Sequence, residues 1–178
     1  FAMEQVRLTR PELPAACFVQ MGDFFRYALD ETVAQGITEV VIGGMAGKLT
    51  KIAQGETITH ANRNVVDTEL VAEIARSIGA SEADCEQIAA AKTARFGSEL
   101  MTERGLGAAF HTALAQAVIN TLTAPERYGN AFLLRVLVCD FDGNKVAEAV
   151  SAPATPRPKP ATAGRVGIAM GLEDFDTE

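Results

Sequence analysis

Lys48 and Lys51 stand three residues apart at the end of Gly43-Gly44-Met45-Ala46-Gly47-Lys48-Leu49-Thr50-Lys51, a segment that joins glycines and cations to the start of a helical pattern. Side chains at that spacing share one helix face. A glycine-bearing turn that opens a helix lets a ligand approach the backbone closely, at an end that favours negative charge. Between Gly44 and Val66 three cations, Lys48, Lys51 and Arg63, face one carboxylate, Glu56, in a chain of formal charge −7. A carboxylate-bearing ligand would be drawn there; a tight turn followed by a solvated cationic face would look the same. Two phosphate motifs fail the test. Ile42 occupies the first glycine position of both a Walker A loop and a dinucleotide fingerprint, and Leu49 stands where the Walker loop needs Ser or Thr.

Downstream, His60 lies in the polar loop Glu-Thr-Ile-Thr-His-Ala-Asn-Arg-Asn, where it could be a general base, a hydrogen-bond donor, a cobalt ligand or none of these. Asp23 and Asp67 could be acid-base groups, but both stand where helix caps are expected. His111, beside Phe110 in a helical pattern, reads as structural.

Positioning these groups is the work of one domain. A chain of 178 residues that is 48% hydrophobic can build one core and is short for two. Its acidity argues against nucleic acid or an anionic membrane as partner. Cys17, Cys85 and Cys139 are odd in number and widely spaced, which suits a reducing cytoplasm better than a disulfide framework or zinc cluster. No apolar run is long enough to span a bilayer, and the opening residues lack the apolar centre of a signal peptide. Phe1 as first residue reads as the start of a piece of a longer chain.

The apolar run 15–21 ends at Gly22-Asp23 and predicts a strand; Phe24, Phe25, Ala28, Leu29 and Val33 then recur at helical spacing. Glu39 to Ile42 predicts a second strand, closed by Gly43-Gly44, and residues 46–53 a second helix. Strand, helix, strand, helix predicts an α/β fold, a mostly parallel sheet with crossover helices, Rossmann-like. Ligands of such sheets sit at the carboxy ends of the strands. Those ends bring Gly22 and Asp23 to one rim with Gly43, Gly44 and Gly47. Further helices are read at 70–78, 81–91 and 106–122, and the run 131–140 with its return 145–150 across Asp142-Gly143-Asn144 predicts an antiparallel hairpin at the carboxy-terminal edge. Residues 1–150 form the expected domain; 151–178, rich in Pro and Ala, read as a flexible tail.

Met21-Gly22-Asp23-Phe24, Gly43-Gly44, the block from Gly47 to Gly55 (Gly-Lys-Leu-Thr-Lys-Ile-Ala-Gln-Gly), His60 and Asp67 resemble, in order and spacing, the carboxy-terminal half of the cobalt-precorrin-5B C(1)-methyltransferase or CbiD family. A weaker likeness runs over residues 12–150. His60 is followed by Ala61 where the family usually has serine, and the residues around the central glycines differ from the commoner forms. The resemblance implies an S-adenosylmethionine-dependent methyltransferase of anaerobic cobalamin biosynthesis, acting at C-1 of a cobalt-containing tetrapyrrole rich in carboxylates. It implies cofactor contacts at Gly22, Asp23, Gly43, Gly44 and Gly47, substrate contacts at Lys48, Lys51 and Arg63, and proton transfer by His60 or Asp23. It also implies an amino-terminal half that is absent here. The alternative is a non-catalytic homologue that binds corrinoid or cofactor and needs a partner chain.

Overall fold

Alternating strands and helices form around one sheet in the computed structural model, which describes residues 2–56, 65–153 and 168–172. Helix α1, Ala2–Thr9, buries only Ala2 and Val6, one turn apart. A short 3-10 turn at Ala15–Cys17 precedes β1, Phe18–Gln20. Helix α2, Phe25–Ala34, buries Phe25, Leu29 and Thr32 along one stripe. Strand β2, Glu39–Met45, is buried from Val40 onwards, as a strand covered on both faces must be. It runs directly into α3, Ala46–Ala53.

Three capped helices follow. Asp67 caps α4, Thr68–Ser77, by accepting from the amides of Glu69 and Leu70. Ser81 caps α5, Glu82–Ala89, through the amide of Asp84, and Thr93 caps α6, Ala94–Glu103, through that of Phe96. Helix α7, Gly107–Leu122, places Phe110, Leu114, Val118 and Leu122 in the core. Strands β3, Leu133–Cys139, and β4, Lys145–Val150, complete the hairpin, and β5 is Ile168–Leu172.

The strand order is β1-β5-β2-β3-β4. Strand β5 pairs in parallel with β1 and with β2, β2 in parallel with β3, and β3 antiparallel with β4. Val6 of α1 packs on Val41 and Leu137 on one face of the sheet. The main core joins Val40, Ile42, Leu134 and Val136 to apolar residues of α2 through α7 on the other.

This corrects the expected Rossmann-like, mostly parallel sheet with crossover helices: three of the four strand pairings are parallel, but neither the strand order nor the connections are those of that fold. The sheet is mixed, and its first two strands in sequence are not neighbours. Residues 168–172, assigned by composition to a tail, lie between them, with Ala169 level with both Phe18 and Val41. Nor does one helix follow each strand: α3 to α7 all fall between β2 and β3. The sequence misled because β1 is only three residues long and cannot organise a βαβ unit, while the proline-rich stretch masked the short apolar run after it.

Candidate functional site

The parallel strands end at one rim, where Gln20 is level with Gly171, and Met45 with Cys139. Gly22 has φ +53°, which turns the chain sharply after β1 and delivers Asp23 to the rim. The expected role of Asp23 as cap of α2 is not taken: the N-cap residue is Phe24, with no side-chain cap. Instead Lys48 Nζ donates to Asp23 Oδ1 at 3.0 Å, joining the turn after β1 to the first turn of α3.

Gly43 and Gly44 do not form a turn. Both lie within β2, and Met45 is the N-cap of α3, extended at φ −84° and ψ 162° and with no side-chain cap bond. A Cβ on Gly43 would come 2.5 Å from Val6 Cγ2 and 3.3 Å from the Ala2 carbonyl oxygen, so packing of α1 accounts for this glycine. Gly44 is level with Val138 on one side and Leu172 on the other. Gly47 differs, since a Cβ there would meet nothing within 4 Å. Lys48 and Lys51 are not a solvated face: each is only 7% exposed. The structure thus brings Gly22, Asp23, Gly47 and Lys48 to one rim, with Lys51 a turn further along α3, while His60 and Arg63 lie outside the described residues.

A second feature of the rim has no sequence motif. A cavity of about 340 Å³ opens between α3, α6, α7 and the end of β3, lined among others by Ala46, Ser98, Thr102, His111, Cys139 and Phe141. Ser98 and Thr102 share a face of α6 at one-turn spacing. His111, read from the sequence as structural, is buried on α7 with Nε2 2.6 Å from Ser98 Oγ. Burial holds its pKa below the ordinary imidazole value, with Asp140 pulling the other way, so the ring is neutral at pH 7.

Asp140 does not complete a catalytic triad, because its carboxylate accepts from the amides of Asp142 and Asn144 and from Asn144 Nδ2, shaping the hairpin turn. Burial pushes the Cys139 thiol up to about 11, so it is no ready nucleophile. A register shift between Val138 and Cys139 marks the start of this loop. The Arg95 guanidinium covers Phe141 at 4.1 Å from the ring centre. The only trace of the cavity in the sequence is the abrupt end of the strongest strand at Cys139-Asp140; most of its wall comes from α6, a helix that the sequence pattern did not reveal, and from α7, which looks like a packing element.

The family model described as CbiD, C-terminal domain, matches residues 58–150. A protein of Paracidovorax citrulli named cobalt-precorrin-5B C(1)-methyltransferase is 70% identical over 154 residues, 86% of this chain and 40% of that protein. Proteins with the same name are 60% identical in a Polaromonas species, over 84% of this chain and 38% of theirs, and 59% identical in Methylococcus capsulatus, over 78% and 36%. The chain therefore spans about 40% of the length of these relatives. No solved structure matches it. With the matched residues containing all of α4 to β4 and the identity extending well beyond them, the chain belongs to the CbiD family, in the part that forms its carboxy-terminal domain.

Proposed function

We propose that this chain is the carboxy-terminal part of a cobalt-precorrin-5B C(1)-methyltransferase, which methylates C-1 of a cobalt-containing tetrapyrrole in cytoplasmic cobalamin biosynthesis. The observation that carries the reading is the 70% identity to a protein of that name over 86% of this chain. S-adenosylmethionine would supply an electrophilic methyl group attached to a positively charged sulfur. The rim suits such a ligand: Gly47 leaves open space beside an uncapped helix start, and a neutral His111–Ser98 pair lies in the cavity wall next to it.

The protein's own task in this chemistry is positioning and charge placement. Asp23, held by Lys48, is the carboxylate at the rim and the candidate proton acceptor; His60 is the other candidate. Lys48 and Lys51 supply positive charge at α3 for the acidic groups of the tetrapyrrole, with Arg63 as the third cation. Gly22 and Gly47 leave backbone accessible at the rim, whereas Gly43 and Gly44 act by letting β2 pack closely. The rest of the relatives' length would form the opposite wall of a site large enough for a macrocycle.

A cobalamin auxotroph that lacks this methyltransferase tests the reading. The complete gene containing this segment should restore growth without added cobalamin, and a gene carrying Asp23→Asn together with His60→Asn should not. Failure of the unaltered gene, with the protein present in the cell, would count against the proposal.

A further inference from the structure

The chemistry of the cavity beside α3 is unlike that of the Lys48–Asp23 pair, and this difference assigns the two features to different ligands. Its walls are mostly carbon, from Ala46, Val146, Phe141 and the helix stems, with polar atoms concentrated at Ser98, Thr102 and His111. Glu99, Glu103 and Asp140 also line it, and among the described residues no lysine or arginine does. Arg95 binds Glu99 and lies over Phe141. An acidic ligand would be repelled, while an uncharged aromatic heterocycle or a cation would be accepted.

Size makes the same division. At about 340 Å³ the cavity is at the small end of ligand pockets, room for a nucleoside and not for a tetrapyrrole. Position adds a third argument. Ala46 lines the cavity and Lys48 follows two residues later, about 200° around the helix, so the cavity and the Lys48–Asp23 pair flank the first turn of α3 on opposite sides. Gly47 lies between them with open space above it.

We infer that this cavity takes the nucleoside end of the methyl donor, with Gly47 between it and the Lys48 side of α3, which is left to the carboxylated acceptor. The inference rests on the methyltransferase reading above. Ser98 and Thr102 hydroxyls and the buried imidazole offer donors and acceptors to a heterocycle edge, and Glu99 and Glu103 at the helix surface suit ribose hydroxyls or a sulfonium. His111, kept neutral by burial, can serve as donor or acceptor without adding charge.

Calorimetric titration of the intact protein that contains this chain with S-adenosylhomocysteine tests this, using Val146→Phe and Ser98→Leu to fill the cavity and Arg76→Ala, on the exposed face of α4, as the change outside it. Each filling variant should weaken binding at least about 10-fold, whereas Arg76→Ala should stay within about threefold, with thermal melts confirming folding. Photolabelling of the unaltered protein with an azido-adenosyl analogue should mark peptides containing Ser98 or His111, which does not depend on any variant folding. Undiminished binding in a folded filling variant, label confined to other peptides, or no binding by the unaltered protein would each overturn the assignment. None of those results touches the growth test, so a misplaced donor site and a wrong functional reading give different patterns.

Discussion

Replacing Lys48 by methionine keeps the length and apolar stem of the side chain and removes only its charge and its donors. Asp23 would then lose the ammonium 3.0 Å away, in a place where its own side chain is 23% exposed and that of Lys48 only 8%. Removing one partner of a fully buried pair costs about 3–5 kcal/mol. Water reaches Asp23 in part, so the loss should be nearer that of a charged hydrogen bond, about 2 kcal/mol. For a domain of this size that lowers the melting temperature by roughly 4–8 °C. Asp23→Asn should cost less, since it leaves an amide that can still accept from Lys48. The double variant tests the logic: with no unmatched charge left at the rim, it should be more stable than the sum of the single losses predicts by about 1 kcal/mol. Denaturant unfolding of the four proteins gives the coupling directly. Additivity within about 0.3 kcal/mol would mean that the two side chains do not depend on each other, and the reasoning would be refuted.

Gly43→Ala should destabilise by about 1–3 kcal/mol, because the new methyl group meets Val6 and the Ala2 backbone, and Val6→Ala in the same chain should recover part of the loss in a denaturant series. Gly47→Ala, with open space around the new methyl, should leave the melting temperature unchanged or raise it, gaining at most about 1 kcal/mol. The pKa of His111 is lowered in the folded state, so the unfolded chain binds its proton first as pH falls. This group's contribution should therefore decline as pH drops below the ordinary imidazole value of about 6.5 and level off below the folded value. Melts of His111→Gln across that range should show a shallower slope than the parent; equal slopes would remove His111 as the cause.

What the sequence made legible is what depends on neighbours along the chain. Asp67 and Ser81 announce helix starts because a cap bonds to amides two or three residues on, and both bonds form. The apolar run that contains β3 and the Asp142-Gly143-Asn144 turn are equally local. Helix α1 was missed because eight residues with two buried apolar side chains give almost no periodic signal.

The sheet order was not legible, since β5 is recruited from beyond a proline-rich stretch and its place depends on pairing with two distant strands. Asp23 has the local look of a cap and is drawn instead to a lysine 25 residues away. Gly43 looks like a ligand turn and is a packing notch for α1. The cavity combines one face of α6 with single residues from α3, α7, β3 and β4 and the hairpin loop, none of which signals a site alone. His60 and Arg63, which the family likeness brought forward, lie outside the described residues, and their roles rest on that likeness.

The measurement that tests the central claim most directly is transfer of an isotopically marked methyl group by the intact protein that contains this chain. Incubation with cobalt-precorrin-5B and S-adenosylmethionine carrying a deuterated methyl should give a tetrapyrrole whose mass spectrum shows one added deuterated methyl, located at C-1 by nuclear magnetic resonance. A folded, donor-saturated protein that leaves the tetrapyrrole unlabelled, or labels another carbon, would contradict the account.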